Sequence, residues 1–355
     1  MYITRSFGYL DKKIMFCLLS FFMISSFCMA AYAPASIFRH IFLWGIGISI
    51  TIYMHSKDSG LLYKVSRILF IISIFLILFT YFKSSAIKGS KRWISIFGLS
   101  LQPSELLKSS CIILTSKYIF QSKHLKFFST YFLSIALLIK QPDFGSALLL
   151  LSIMMIQLFI SDIKMSTVLI FFITALVFAI FAILYLPHVR ARILNFIYGN
   201  KSILEGGYQG FMSVQTIKSG GLFGLGIGKG IMKRYLPDAY SDFIFAVIGE
   251  ELGTIGCIYL IFIFLLLSFI SFKNNAKLHG YSEYYLNISC TSIFIIQTWI
   301  NIASALWIIP TKGITLPFIS HGGTSLLISF WTLSGIFISS RKAQFSREFL
   351  LHKYY

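Results

Sequence analysis

Residues 233–253, with the sequence KRYLPDAYSDFIFAVIGEELG, place Asp242 where the longest polar segment of the chain enters a long apolar one. Ionisable side chains near or inside membrane spans are costly and indicate function by default. Such an Asp could act as a general base, accepting a proton from a hydroxyl group at the membrane surface. The structural alternative is a helix cap, because Asp is a favoured N-cap residue and an apolar helix is predicted to follow.

A second polar group lies near the middle of the chain. Gln102, Glu105 and Lys108 follow each other at three-residue spacing, so they share one helix face. Glu105 and Lys108 can pair there, which lowers the cost of each charge in a membrane. The pair is therefore either a structural clamp between helices or a contact to a substrate. Arg92 and Trp93 precede it in a short basic and apolar stretch that could lie in the membrane interface.

The stretch Lys140-Gln141-Pro142-Asp143 separates two apolar runs and predicts a tight turn that breaks the helix. Asp143 would open the second helix, where a carboxylate caps free N–H groups. An N-cap and a functional role are equally compatible with this position. Lys140, beside the turn, could meet a phosphate.

The segment 206–230 contains nine glycines, and its run GLGIGKG mimics a phosphate-binding loop. No strand precedes this run and no Ser or Thr follows its lysine, so we reject a nucleotide site. A flexible backbone beside Lys218, Lys229, Lys233 and Arg234 nevertheless suits a bulky anionic substrate. Glu250 and Glu251 are predicted about 12 Å deeper than Asp242 along the next helix, where charges must pair or face a cavity.

A last irregular segment, 310–325, reads PTKGITLPFISHGGTS and leads into the final apolar run. Its two prolines and three glycines predict a non-helical backbone. Such a backbone at membrane depth is tolerated only where protein or a cavity surrounds it.

The elements that must position these residues are membrane helices. The chain has 355 residues, of which 57% are hydrophobic and 12% charged, far from the roughly 25% charged residues of a soluble protein. We predict an all-α polytopic integral membrane protein, a single membrane domain over 1–355, with one long extracytoplasmic loop at 187–242. About ten transmembrane helices are expected, at 14–33, 37–54, 67–82, 103–120, 127–140, 144–160, 166–186, 243–272, 285–309 and 320–340.

The distribution of charges and cysteines indicates the class of partner, the orientation in the membrane and the role of the thiols. The net charge of +19 lies in short loops between spans, so anionic lipid headgroups and phosphates are the expected partners, not nucleic acid. Lys and Arg in the short loops place both termini in the cytoplasm, with an uncleaved first span. The basic cluster Lys83, Lys88, Lys91 and Arg92 violates that rule locally, which suggests an anionic partner on the outer face. The five cysteines lie in apolar runs without CxxC spacing, and we interpret them as packing residues.

Together these motifs resemble the SEDS (RodA/FtsW/SpoVE) family of polytopic peptidoglycan glycosyltransferases, over essentially the whole chain. Four motifs carry the resemblance in order: Arg92-Trp93-Ile94 with Gln102-Pro103-Ser104-Glu105 and Lys108; Lys140-Gln141-Pro142-Asp143; Leu236-Pro237 through Asp242-Phe243-Ile244-Phe245 to Glu250-Glu251-Leu252-Gly253; and Leu316-Pro317-Phe318-Ile319-Ser320 with Gly322-Gly323. Residues 311–318 look more like the division members than the elongation members. The chain departs from the usual motifs at Asp238, Tyr240, Ser241, His321 and Thr324, while the family's essential Asp is carried over onto Asp242.

The resemblance implies polymerisation of lipid II at the outer face of the bacterial cytoplasmic membrane, at the division septum. It also implies a class B penicillin-binding transpeptidase and other divisome membrane proteins as partners. Asp242 would be the catalytic base, and a divalent cation such as Mg²⁺ could assist. The candidate substrate-binding residues are Arg92, Glu105, Lys108, Lys140, Asp143, Lys229, Lys233, Ser320, Gly322 and Gly323. A lipid II transporter and a non-catalytic divisome scaffold are the alternatives; the absence of internal repeats speaks against the former.

Overall fold

The computed structural model describes residues 11–32, 34–83, 92–96, 99–185, 187–198, 205–311 and 313–354. Helices account for most of them, accompanied by two short 3₁₀ turns, Pro34–Ser36 and Met232–Arg234, and by two short strands, β1 Ile94–Ile96 and β2 Leu99–Leu101. The helices are α1 Lys12–Tyr32, α2 Ile37–His55, α3 Ser59–Lys83, α4 Pro103–Phe120, α5 His124–Lys140, α6 Phe144–Phe159, α7 Met165–Tyr185, α8 Pro187–Tyr198, α9 Glu205–Ser219, α10 Ile244–Asn275, α11 Ser282–Ala305 and α12 Gly323–Tyr354.

The fold class is that of an all-α polytopic membrane protein. Each predicted span coincides with one of the helices α1–α7 and α10–α12. Among the described residues, six helical segments are long and apolar enough to cross a membrane: Lys12–Ala31, Pro34–His55, Ser59–Thr80, Ile244–Asn275, Ser282–Ala305 and Gly323–Phe345. The count of ten crossings remains a prediction.

Helix α4 lies in the middle of the bundle. It carries Glu105, Lys108 and Lys117, more charge than a lipid-facing span would tolerate. Most of its residues are buried against α3, α5, α6, α11 and α12. Its polar face is therefore surrounded by protein.

Several predicted boundaries need correction. Helix α3 begins at Ser59 rather than 67, and α12 continues to Tyr354 rather than ending at 340. In the segment predicted to lie in the membrane interface, β1 and β2 form an antiparallel hairpin that pairs Ile94 with Leu101. Strand β2 leads directly into α4.

The segment 187–242, predicted as a loop, is partly helical. It contains α8, which Pro187 opens as a favoured first helical residue, and α9, which packs on α10. The hydroxyl of Ser213 in α9 donates to the carbonyl of Ala305 at the end of α11 (2.7 Å). The glycine-rich stretch is thus held between ordered helices.

Helix α10 is interrupted at Gly253, whose φ of 68° and ψ of −170° are not helical. The N–H groups of Thr254 and Ile255 lose their helical acceptors and donate to the carbonyls of Gly221 (3.0 Å) and Leu222 (3.3 Å). The freed carbonyls of Glu250 and Glu251 accept from Leu225 (2.9 Å) and Gly226 (3.1 Å). The loop 220–226 therefore supplies hydrogen-bond partners for these four backbone groups, as an interrupted helix at membrane depth requires.

Candidate active site

Asp242 lies half-buried in the turn before α10. The helix begins at Ile244, and its N-cap residue is Phe243, whose side chain makes no capping hydrogen bond. Asp242 therefore does not occupy the N-cap position that the structural alternative predicted for it. The turn is instead closed by the N–H of Asp242, which donates to the carbonyl of Asp238 (3.0 Å).

The segment 313–321 lies against this turn. A Cβ on Gly313, whose φ is +62°, would lie 3.2 Å from Oδ2 of Asp242. Glycine therefore keeps space open beside the carboxylate. The hydroxyl of Ser320 donates to the carbonyl of Ser241, and the N–H of His321 donates to the carbonyl of Tyr240 (2.9 Å).

Asn301 ties the two segments together from α11. Its side-chain amide donates to the carbonyls of Asp242 (2.8 Å) and Ile314 (2.7 Å). One helical turn earlier, the Gln297 amide donates to the carbonyl of Thr315 (2.9 Å). Sequence reasoning missed both amides, although two amides four residues apart in an apolar span are a recognisable signal of interhelical hydrogen bonding.

Phe318 anchors the same segment in the core. It is 1% exposed, with a φ of 64° that is unfavourable for a non-glycine residue. Its ring packs against four aromatic side chains, from Phe21, Trp44, Phe294 and Phe330. This packing holds the strained backbone in place.

Hydrogen bonds bring the four motifs to one end of the bundle. The hydroxyl of Thr324, at the start of α12, accepts from the N–H of Gln102 (3.3 Å), which precedes α4. Arg92, before β1, donates to the carbonyls of Gln141 (2.9 Å) and Pro142 (2.5 Å), between α5 and α6. We call this the Asp242 end.

Glu105 and Lys108 form the predicted ion pair, with 2.7 Å between Oε1 and Nζ. Both are buried in α4, at 6% and 1% exposure. The pairing offsets part of the cost of two charges in the bundle. Because the pair joins two residues of the same helix, both the clamp between helices and the contact to substrate stay predictions.

Asp143 is the N-cap of α6, as one of its two predicted roles requires. Its Oδ1 accepts from the N–H of Ser146 (3.3 Å). The second oxygen is buried, and no residue in the described part of the chain donates a hydrogen bond to it. Lys140, at the end of α5, is exposed.

Lys229 and Lys233, in and just after the glycine-rich segment 206–230, differ in their surroundings. The side chain of Lys233 is 3% exposed and forms an ion pair with Glu251. This pairing argues against the predicted phosphate contact, because the ammonium already serves a buried carboxylate. Lys229, four residues earlier, is exposed.

The remaining candidate substrate-binding residues, Ser320, Gly322 and Gly323, lie at or just before the start of α12. Ser320 is 2% exposed, and besides donating to Ser241 its hydroxyl accepts from the N–H of Leu316 (2.8 Å). It therefore holds the segment in place. Gly323 opens α12, and the Gly322 carbonyl accepts from Leu326 (3.0 Å).

Charge near the Asp242 end also acts on His321. Burial and the positive charge of Arg39 lower the pKa of the His321 imidazole, which favours its neutral form. Its ring lies 5.6 Å from that of Tyr240. Among the residues that the structure describes, no three His, Cys, Asp or Glu side chains gather into a metal-binding group.

Comparison with known proteins shows which family this chain resembles. Residues 2–344 match the family model of FtsW, RodA and SpoVE, described as cell cycle proteins. A probable peptidoglycan glycosyltransferase FtsW of Buchnera aphidicola subsp. Schizaphis graminum is 36% identical over 290 residues, which cover 76% of this chain and 80% of the relative. A protein of the same name from Borreliella burgdorferi is 37% identical over 284 residues, 75% of each chain.

Solved structures share the fold. One comes from a study of structural coordination of polymerization and crosslinking by a peptidoglycan synthase complex. It superposes with a TM-score of 0.78 at 21% identity and covers 94% of this chain and 98% of that chain. The rod shape determining protein RodA of Thermus thermophilus superposes with a TM-score of 0.67 at 21% identity, over 94% and 97%.

Proposed function

Since the chain belongs to the FtsW, RodA and SpoVE family of cell cycle proteins, we propose that it polymerises lipid II into glycan strands during septal cell-wall synthesis. The protein is a peptidoglycan glycosyltransferase, as its curated relatives are named. The observation that carries the mechanism is the placement of Asp242. Its turn is fixed by backbone and amide contacts, while its carboxylate lies beside the space left by Gly313.

The reaction needs one base. A sugar hydroxyl of one lipid-linked disaccharide peptide attacks the anomeric carbon of another, and undecaprenyl pyrophosphate leaves with the bonding electrons. Asp242 takes the hydroxyl proton as the new glycosidic bond forms. Glycosidases need a second carboxyl group to protonate a poor leaving group, whereas pyrophosphate leaves without protonation when cations stabilise its charge.

Exposed cations near the Asp242 end supply that stabilisation. Lys140 is assigned this role because it is exposed beside the Gln141–Pro142 turn, and Arg92 keeps donors beyond the two that hold that turn. Lys229 is exposed in the glycine-rich loop and is assigned the same role. The Asp242 carboxylate is also a hard oxygen ligand of the kind that Mg²⁺ accepts together with substrate phosphates. A bound Mg²⁺ would supply further charge neutralisation of the pyrophosphate.

The Asp242 end faces the outside of the bacterial cytoplasmic membrane in this proposal, with both termini in the cytoplasm. The partner is a class B penicillin-binding transpeptidase that crosslinks the new strands at the septum, within the divisome. Support comes from the fold shared with a chain of a peptidoglycan synthase complex.

The proposal is tested by incubating purified lipid II with the protein co-purified with its transpeptidase and separating the products by size. We expect glycan strands of many disaccharides. A parallel assay follows lipid II movement across the bilayer of sealed vesicles. Movement without polymer, under conditions where a related enzyme is active, would favour a transporter; neither activity would favour a scaffold.

A further inference from the structure

Two buried carboxylates, Glu250 and Glu251, lie about two helical turns beyond Asp242 in α10, and the proposed chemistry does not use them. Their side chains are 0% and 2% exposed. Carboxylates buried this deeply are costly unless donors and charges compensate them. Among the described residues, the compensating donors come from the segment 228–233, just before the turn that carries Asp242.

Glu250 binds two successive backbone amides. The N–H of Met232 donates to its Oε1 (2.6 Å), and the N–H of Lys233 donates to its Oε2 (2.9 Å). Gly230 lets the chain pass this close, because a Cβ there would lie 2.6 Å from Cδ of Glu250. Both oxygens of the carboxylate are therefore engaged by one short stretch of chain.

Glu251 supports the same stretch. Its Oε1 accepts from Nζ of Lys233 in a buried ion pair and from the N–H of Gly228 (3.2 Å). The segment 228–233 is thus fixed on α10 by both carboxylates. We refer to Glu250, Glu251 and the segment 228–233 as the carboxylate clamp.

The clamp closes a loop in the chain. Residues 234–243 form a bridge between Lys233, whose N–H is held by Glu250, and Ile244, where α10 begins. Asp242 lies at the far end of this bridge, and its N–H bonds back to Asp238 within it. Since both ends of the bridge rest on the same helix, Glu250 determines where the bridge starts and how far it can shift.

We propose that Glu250 is a positioning residue for Asp242: by holding the backbone at Met232 and Lys233, it fixes the bridge that directs the Asp242 carboxylate. Glu250 touches no substrate and exchanges no proton in this role. The inference rests on the proposed function, because its effect is measured as polymerisation of lipid II.

The test compares steady-state polymerisation by the wild-type complex and by Glu250→Gln. Gln has nearly the same size but presents one acceptor oxygen, and its NH₂ faces a backbone N–H donor. Displacement of a catalytic group by about 1 Å costs up to about 100-fold in rate, so we expect kcat to fall about 10- to 100-fold. We expect KM to change less than about 3-fold, since substrate contacts remain. The midpoint of the pH–rate profile stays unchanged.

A second variant displaces the clamp without removing a charge. Gly230→Ala places a methyl group against the Glu250 carboxylate, and we expect the same loss in kcat. Gly45→Ala is its matched control, since a Cβ there meets nothing within 4 Å. Glu283→Gln controls for loss of a hydrogen-bonded carboxylate at the start of α11.

Three results would overturn the positioning role of Glu250. The first is a wild-type kcat in both Glu250→Gln and Gly230→Ala, and the second is a shifted midpoint of the pH–rate profile in Glu250→Gln. The third is failure of both variants to fold while the controls fold. The shifted midpoint would make Glu250 a proton-exchanging group, and the folding failure would make the clamp a requirement for folding. A wild type that makes no glycan would overturn the proposed function and, with it, the positioning role of Glu250.

Discussion

Arg92 joins two parts of the Asp242 end through backbone carbonyls. Its Nε and one terminal nitrogen donate to Gln141 and Pro142, in the turn between α5 and α6. A guanidinium presents these donors in a rigid planar fork, whereas an ammonium is a single point charge. The two side chains are therefore not interchangeable at this position.

Substitution of Arg92 by Lys separates its structural role from phosphate binding. Loss of one charged hydrogen bond costs about 1.5–3 kcal/mol, so we expect the melting temperature in detergent to fall by several degrees, at roughly 2–4 °C per kcal/mol. Lys64→Arg, at another basic position, is the control. An unchanged melting temperature combined with a raised KM for lipid II would instead show that Arg92 serves the substrate.

Local sequence predicts local contacts well. The Glu105–Lys108 pair and the Asp143 cap involve residues three apart, and the structure confirms both. The buried ion pair of Lys233 and the amide that holds the turn at Asp242 were not foreseen, because these partners come from other segments of the chain. Glu251 lies 18 residues beyond Lys233, and Asn301 lies 59 residues beyond Asp242. Spacing along one helix contains no information about such pairs.

At the scale of elements, the break in α10 and the glycine-rich loop form one unit. Gly224 and Gly253 allow backbone to approach backbone: a Cβ on Gly224 would lie 2.1 Å from the carbonyl oxygen of Glu251, and one on Gly253 would lie 2.4 Å from the nitrogen of Gly224. The loop enters the space that the helix interruption opens. The short helix 244–252 is therefore held by the loop as well as by its own continuation.

Gly253→Ala tests this unit. The observed φ and ψ are accessible almost only to glycine, and the added methyl would collide with loop backbone, so we expect a loss of at least about 3 kcal/mol in stability. Thermal unfolding in detergent measures it, with Gly60→Ala in α3 as the uncrowded control. A stability equal to that of the control would show that the break is not needed.

The long apolar helices could be predicted from hydrophobic runs, while other elements were missed for identifiable reasons. Polar residues such as Lys64 and Arg67 concealed the beginning of α3, and the basic end of α12 was taken as the end of the helix. In strand β1, the apolar Ile94 and Ile96 alternate with the polar Ser95. An alternation with period two indicates a strand, but the sequence analysis interpreted this stretch as a segment lying in the membrane interface. The break at Gly253 depends on a loop that lies up to 33 residues earlier in the chain.

Across the whole molecule, charged groups lie inside the bundle and at both of its ends. The charged helix α4 lies in the centre, and the motifs around Arg92, Asp143, Asp242 and Ser320 meet at the Asp242 end. At the opposite end, Arg341 of α12 donates to backbone carbonyls of His55 and Lys57. The motifs indicated the family from sequence alone, but their meeting point required the helix packing.

The most direct measurement compares lipid II polymerisation by the wild-type complex with that by Asp242→Asn. Asn cannot accept the proton, and loss of a general base costs about 100- to 10,000-fold in rate, so we predict no detectable strands from a folded variant. Asp238→Asn is the matched control in the same turn, since Asn tolerates its positive φ. Polymer from Asp242→Asn within about 3-fold of the wild-type amount, too small a loss for a missing base, would contradict the assignment.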